Sequence, residues 1–363
     1  MLVGVDGRSK HFLSASQRQG GDLAAEQALS TLLAELPIEQ ATPVARAFAQ
    51  FLALANIAEQ HHRVRRRRDY LRDPDSPPQR ASFDEAFTRL LADGVARSTL
   101  HETIASMTVE LVLTAHPTEV VRRSLLRRHN RIGALLAERD RPDLTPAEVR
   151  RIEADLHNEI AIIWGTDEVH RRKPSPIEEA RGGLMVFEQT LWDAVPAFLR
   201  DLDGAMLRHT GIRLPRGSAP ITFGSWMGGD RDGNPNVTAG VTRQVVFLGR
   251  WIAADLYWRE VDALRAELSL ADGSVELERA SGGQPEPYRV VLGEVRALLA
   301  RTRDWTAAEL DEGVQPSRGE VLLTANQLQE PLELLWRSLV ETGLDCVAEG
   351  RLLDLLRRID VFG

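Results

Sequence analysis

An apolar run that ends in a histidine-proline pair is the first chemical signal in the sequence. Residues 109–119 read VELVLTAHPTE. Pro117 biases the backbone of His116 away from helical dihedral angles, which helps to hold the imidazole where the run delivers it. Histidine exchanges protons readily near neutral pH, so His116 is a candidate general acid or base. A structural role is the open alternative, because a lone histidine is more often structural than catalytic.

Five arginines follow this histidine closely. They are Arg122, Arg123, Arg127, Arg128 and Arg131. Positions 123, 127 and 131 have the i, i+4 spacing of one helix face, so they predict a cationic stripe that could bind an anion. The alternative is a set of surface ion pairs, each of which contributes little to stability.

The second motif is rich in glycine. Residues 224–238 read GSWMGGDRDGNPNVT. Glycine allows close approach of a ligand to the backbone, or positive φ angles that other residues resist. Counting from Asp230, the sixth and twelfth positions hold Pro235 and Val241 instead of the glycine and glutamate of an EF-hand, so that type of calcium loop is excluded. The sequence also contains neither a Walker loop nor a dinucleotide fingerprint.

Three charged residues and one tryptophan of this motif are candidates for a site. We expect Asp230, Arg231 and Asp232 to form a buried, hydrogen-bonded cluster of ion pairs that shapes the loop. Trp226 lies at the end of an apolar run. It is either a core residue or the apolar wall of a substrate pocket, and the sequence leaves both open.

The composition indicates a globular protein that does not enter a membrane. The chain has 363 residues, of which 43% are hydrophobic, and a single cysteine, Cys346. This length suits about two domains or one large α/β domain. It has no run of about 18 apolar residues and no signal-peptide pattern, so we expect a cytoplasmic location. One cysteine excludes an internal disulfide framework and a cysteine metal cluster.

The charge distribution argues against nucleic acid as the partner. The formal net charge is −8. A basic run, HHRVRRRRDYLR at 61–72, is most simply a solvated helix face. Nucleic-acid binding through this run is the less favoured alternative, and it would give a steeply salt-dependent affinity.

Periodicity predicts a chain that is mainly α with a few parallel strands. Apolar residues at helical spacing, together with capping signals, predict helices over 22–35, 43–72, 83–95, 146–170, 176–202, 239–268 and 326–342. Two short runs, 109–114 and 219–226, predict buried parallel strands. Each run precedes a polar or glycine-rich stretch and then a helix, which is the order found in barrels and doubly wound sheets. In such folds the reacting groups collect at the carboxyl ends of the strands.

Several stretches together resemble a known family. In chain order they are VLTAHPTE, VRRSLL, WGTDEVHRRKPSPIEEAR, LWDAVPAFLR, SWMGGDRDGNPNVT and EPYRVVLGEVR. They are similar to the amino-terminal portion of phosphoenolpyruvate carboxylase. In this resemblance residues 1–32 match poorly, 33–105 form an amino-terminal helical region, and 106–363 hold the first strands and helices of the barrel domain.

The resemblance implies a fold and an activity. The fold is the amino-terminal part of a helix-rich (β/α)8 barrel, incomplete in this chain, in an enzyme that assembles as a homotetramer under allosteric control. The activity joins phosphoenolpyruvate and bicarbonate to give oxaloacetate and phosphate, an anaplerotic step that feeds the tricarboxylic acid cycle, with Mg²⁺ or Mn²⁺. Bicarbonate takes the phosphoryl group, carboxyphosphate breaks down to CO₂, and the enolate of pyruvate attacks that CO₂.

The resemblance also implies roles for individual residues. His116 would assist carboxyphosphate breakdown, and Trp226 would line the apolar pocket that holds CO₂. Asp230, Arg231 and Asp232 would lie near the active site without a settled chemical role. Three arginines would belong to a site for sugar-phosphate activators: Arg122, Arg123 and Arg171.

The resemblance leaves part of the machinery outside this chain. The family's acidic metal ligands lie further along, so we expect no metal ligand here. Two strands cannot close a barrel or bury their own edges. The expectation is therefore an inactive fragment of the enzyme. The alternative, from a different class, is a non-catalytic helical module that binds an anionic effector or a partner subunit.

Overall fold

The computed structural model describes residues 30–31, 34, 36–73, 75–114, 123–166, 175–311 and 319–363. These residues form two compact units. The first comprises the described parts of Met1–Arg68 with Ser124–Thr166, and the second those of Asp69–Arg123 with Asp167–Gly363. The chain therefore leaves the first unit and returns to it once.

Helices make up most of the described chain. The first are α1 (Ile38–Arg72), α2 (Phe83–Ala92), α3 (Arg97–Ser106), α4 (Arg123–Arg139), α5 (Pro146–Gly165), α6 (Pro176–Val186) and α7 (Trp192–Thr210). The others are α8 (Ala239–Glu267), α9 (Val275–Ala280), α10 (Pro287–Leu310), α11 (Ala325–Glu341), α12 (Asp345–Val347) and α13 (Leu353–Phe362). None of the helices described is long and apolar enough to cross a membrane.

Local capping explains several helix boundaries. Thr145 and Ser175 each accept a hydrogen bond from the backbone N–H three residues on, and the glutamate at that position bonds back to the cap. These two complete capping boxes start α5 and α6, each with proline at the first helical position. Gly211 ends α7 with a left-handed φ of 80°. The predicted starts of α5 at residue 146 and of α6 at residue 176 are therefore confirmed.

The helix predicted over 176–202 is interrupted. A π-helical turn, Phe187–Leu191, separates α6 from α7, and α7 then runs on to Thr210. A second π turn, Ala348–Leu352, precedes α13. Such turns insert one residue into the helical hydrogen-bond pattern, which hydrophobic periodicity alone does not reveal.

Each unit has its own core. In the first unit Leu125, Ile132 and Ile163 are buried, and apolar residues of α1 pack against them. The second unit has two clusters. The larger is formed mainly by α8, α10, α11 and α13, and the smaller by α2, α3 and α7. Phe223, which belongs to the sheet described next, packs against the smaller cluster.

The sheet of the described chain has two parallel strands, β1 (Val109–Leu113) and β2 (Ile221–Ser225). Phe223 packs against Phe187 and Phe362, with ring centroids 5.8 and 5.6 Å apart. Because side chains alternate along a strand, this helix-covered face also carries Leu111. The opposite face carries residues 110, 112, 222 and 224.

The prediction of two parallel strands is confirmed, but their predicted burial is wrong: β1 is largely exposed and β2 is only half-buried. Leu111 is 47% exposed and Val112 is 39% exposed. Parallel strands are usually buried only where further strands and helices cover both edges and both faces. No third strand pairs with either one among the described residues. The (β/α)8 barrel remains a prediction.

Candidate functional site

Trp226 extends the sheet by one residue at its carboxyl edge. Its backbone N–H donates to the carbonyl oxygen of Leu113 at 3.0 Å, so the parallel ladder continues past Ser225. The residue is 57% exposed. Of the two roles left open by the sequence, a core position is therefore excluded for the described structure, while a place in the wall of a pocket stays compatible with it.

The loop after Trp226 turns back tightly on this residue. The backbone N–H groups of Gly229 and Asp230 both donate to the Trp226 carbonyl oxygen, at 3.0 and 2.9 Å. Gly228 and Gly233 each have a φ of 73°, and Asp232 has a φ of 35°. Only glycine adopts such angles without a steric cost, although aspartate tolerates them better than most residues. The glycines of the motif thus shape the turn.

The base of this loop is held by the helices beneath it. The Met227 side chain is buried against Gly183 of α6, where an added Cβ would come within 2.0 Å of the Met227 Cε. The Thr242 hydroxyl donates to the Gly228 carbonyl oxygen at 2.7 Å. A Cβ on Gly228 would lie 2.5 Å from the Val245 Cγ2. The backbone next to Trp226 is therefore fixed from below.

The buried cluster of ion pairs expected at residues 230–232 is not observed. Asp230, Arg231 and Asp232 are all exposed, and their side chains make no hydrogen bond or ion pair with any described residue. Burying three charges is costly unless each is fully paired, whereas a solvated position on a turn carries no such cost. The loop is shaped by its glycines and by the Met227 and Thr242 contacts instead.

Two of the arginines predicted near His116 form ion pairs. The Arg128 Nη1 lies 3.1 and 3.0 Å from the two carboxylate oxygens of Glu159. Arg131 lies 3.7 Å from Asp155. Arg127 is exposed and makes no hydrogen bond or ion pair with a described residue. The ion-pair alternative therefore holds for two of these side chains.

Several predicted site residues lie outside the described part of the chain. They are His116, Arg122 and Arg171, together with the side chain of Arg123. The helix predicted over 22–35 also falls largely on residues that are not described. The roles assigned to these residues stay predictions.

The described residues do not offer a set of metal ligands. No group of three or more His, Cys, Asp or Glu side chains that could hold a metal ion is found among them. Mg²⁺ is usually held by one or two carboxylates together with water and substrate phosphates. The location of the metal ligands therefore stays a prediction.

Sequence reasoning overlooked one charged residue of this region. It treated VELVLT as an apolar run, although the second residue of β1 is Glu110. Glu110 pairs in register with Thr222, which places it on the same face of the sheet as Gly224. A carboxylate inside a predicted parallel strand was the available signal, because such strands are usually apolar throughout.

Comparison with known proteins identifies the family. The family model described as phosphoenolpyruvate carboxylase matches residues 9–363. A phosphoenolpyruvate carboxylase of Ectopseudomonas mendocina is 49% identical over 346 residues, which cover 95% of this chain and 39% of that protein. The enzyme of Pseudomonas putida is 47% identical over 356 residues, covering 98% of this chain and 39% of its own length. The enzyme of Pseudomonas aeruginosa is 47% identical over 349 residues, which cover 96% of this chain and 39% of that protein.

These matches decide between the classes considered from the sequence. They favour an enzyme family over a non-catalytic binding module. The chain spans 39% of the length of these curated relatives, a share that fits the expected amino-terminal portion. The chain belongs to the phosphoenolpyruvate carboxylase family.

Proposed function

We propose that this chain supplies part of the active site of a phosphoenolpyruvate carboxylase. The reaction joins phosphoenolpyruvate and bicarbonate and yields oxaloacetate and phosphate, which replenishes four-carbon acids. Because the chain spans 39% of its relatives, we propose further that residues 1–363 do not turn over by themselves. Residues 106–363 would then form the first strands and helices of a (β/α)8 barrel, after a helical region at 33–105.

The observation that carries this proposal is the indole of Trp226. It lies at the carboxyl end of a parallel strand, on a backbone fixed by Met227 and Thr242. In α/β folds the reacting groups collect at this end of the strands. Carbon dioxide is small, uncharged and apolar, so an indole wall suits it. An enclosure of this kind would also keep water from protonating the enolate before it attacks CO₂.

The other predicted residues take supporting roles in this proposal. His116 would transfer a proton and position carboxyphosphate as it breaks down. Asp230, Arg231 and Asp232 would lie near the substrates on the loop after Trp226. Effector binding is proposed for three arginines: Arg122, Arg123 and Arg171. Their cationic groups suit the phosphate of a sugar-phosphate activator.

We propose the wider properties by analogy with the family. Mg²⁺ or Mn²⁺ is the proposed cofactor, and its ligands would be other residues than those described. Phosphoenolpyruvate and bicarbonate are the proposed partners, in a homotetramer in the cytoplasm. Neither nucleic acid nor a membrane is part of the proposal.

Kinetic assays of the longest product of the gene test this function. We expect phosphate and oxaloacetate to form only with phosphoenolpyruvate, bicarbonate and Mg²⁺ together, and no turnover by residues 1–363 alone. Trp226→Ala should lower kcat/KM for bicarbonate by about tenfold or more, and Trp226→Phe should retain more of it, because it keeps an apolar ring. Trp164→Ala is the matched control, since Trp164 is also an exposed indole and lies in the first unit. Equal rates for the two alanine variants would remove Trp226 from the site.

A further inference from the structure

A carboxylate occupies the face of the sheet that leads to Trp226. Glu110 of β1 lies opposite Thr222 of β2, and Val112 lies opposite Gly224. Side chains two residues apart share a face, so residues 110, 112, 222 and 224 lie on one side. Trp226, two residues after Gly224, continues the same series. The helices cover the other side, where Phe223 packs.

The Glu110 side chain extends over Gly224, toward the carboxyl edge of the sheet. Its Oε1 lies 2.8 Å from the position that a Cβ on Gly224 would occupy. The glycine therefore leaves the space that the carboxylate fills. Gly224 precedes Trp226 by two residues, and a strand rises about 3.3 Å per residue. The carboxylate thus lies about 7 Å below the level of the Trp226 backbone.

This carboxylate has no partner among the described residues. Glu110 makes no hydrogen bond or ion pair with any of them. Glu110 is exposed in the described structure. In the proposed site, where a closed pocket would exclude water, an unpaired carboxylate about 7 Å from bicarbonate or phosphoenolpyruvate would weaken the binding of either anion by roughly tenfold to a hundredfold. A positive charge between the carboxylate and the substrate would remove this cost.

We propose that Glu110 is a positioning residue that holds a cationic side chain, a guanidinium or an ammonium group, against the anionic substrates on the Trp226 face. Gly224 is the second part of this arrangement, because it gives the carboxylate room to lean toward the carboxyl edge. The inference rests on the proposed function, since it concerns the substrates of that same site.

Steady-state kinetics of the longest product of the gene, with Glu110→Gln, tests this role. Glutamine keeps the shape of the side chain and removes the charge. If Glu110 holds a cation, KM for phosphoenolpyruvate or bicarbonate should rise about tenfold or more, with a smaller change in kcat. If the carboxylate is unpaired, its removal should lower KM, because a repulsion disappears. Glu102→Gln is the control, since Glu102 is an exposed glutamate on α3, and it should leave both constants unchanged.

Gly224→Ala provides the second arm of the experiment. The new methyl group would displace the Glu110 carboxylate, so KM should rise in the otherwise unchanged protein. The same change should add little when Glu110 is already glutamine, because both substitutions then remove one interaction.

The outcomes separate this inference from the proposed function. An active parent protein whose KM values are unchanged or lowered by Glu110→Gln would overturn the role of Glu110 alone. If Glu110→Gln raises only the Mg²⁺ concentration needed for activity and leaves both KM values unchanged, the carboxylate serves a metal. That result would overturn the proposal that Glu110 holds a cationic side chain. A parent protein without carboxylase activity would overturn the proposed function, and this inference with it.

Discussion

Asp360 offers the sharpest test of the energetics of the second unit. It lies on α13, where the Gln329 side chain donates a hydrogen bond to its Oδ1 at 3.1 Å. Burial is the main cause that raises the pKa of Asp360 to about 6, and the nearby carboxylate of Glu333 adds to it. Arg216 and Arg357 act in the opposite direction without cancelling the effect. Below about pH 6 the folded protein therefore carries Asp360 mainly in its protonated form.

The sign of the pH dependence follows from this raised pKa. An aspartate has a pKa of 3.8 when unperturbed, so Asp360 binds its proton more tightly in the folded state. The stability that this provides is fully present below about pH 3.8 and is lost as pH rises through about 6. At pH 7.5 the ionised carboxylate therefore lowers the free energy of unfolding. The full shift corresponds to about 3 kcal/mol. Partial exposure and screening reduce this to about 1–2 kcal/mol.

The perturbation is Asp360→Asn, which removes the charge and keeps an oxygen that can accept from Gln329. We expect the variant to raise the free energy of unfolding by about 1–2 kcal/mol at pH 7.5, and by progressively less as pH falls toward 4. Urea unfolding followed by circular dichroism between pH 4.5 and 7.5 measures this difference. Asp354→Asn on the same helix is the contrast, because Asp354 is paired with Arg200 at 2.8 Å and its loss should not stabilise.

Two results would refute this reasoning. One is a variant with asparagine at 360 that is no more stable than the parent protein at pH 7.5. The other is a gain in stability that is the same at every pH, since that gain would come from packing and not from the charge.

Three further predictions concern the loop, a helix start and a π turn. Gly228→Ala should destabilise the second unit by about 1–3 kcal/mol, because the φ of Gly228 is 73° and the new Cβ would meet Val245. Gly229→Ala is the control and should change the melting temperature little. Thr145→Ala should cost about 1 kcal/mol in urea unfolding through loss of the capping box of α5, and an unchanged midpoint would contradict that role. Arg200→Ala should cost about 1–3 kcal/mol, because the guanidinium donates to the carbonyl oxygens of Glu349 and Gly350, and Arg200→Lys should recover only part of this loss.

Local signals in the sequence predicted much of the helical structure. Thr145 and Ser175 start helices because their capping boxes involve only neighbours in the chain. The two parallel strands were also correct in position to within two residues. The π turn at Phe187–Leu191 was missed, since it depends on hydrogen-bond geometry that apolar spacing does not encode.

The candidate site was less predictable, because it depends on contacts between distant residues. The adjacent charges of Asp230, Arg231 and Asp232 suggested a buried cluster, but the backbone at Asp232 has a positive φ and all three residues are exposed. The position of Glu110 over Gly224 could not be inferred without the register of β1 against β2. The exposure of Trp226 likewise depends on what covers the sheet.

The contact between Gly183 and Met227 links two segments that lie more than forty residues apart in the chain. Neither position can change in size independently, since a methyl group at 183 would displace the thioether that supports the turn after the indole. Related sequences that carry a larger residue at 183 should therefore carry a shorter one at 227. The two positions would then vary as a pair during evolution, even though neither side chain meets a substrate.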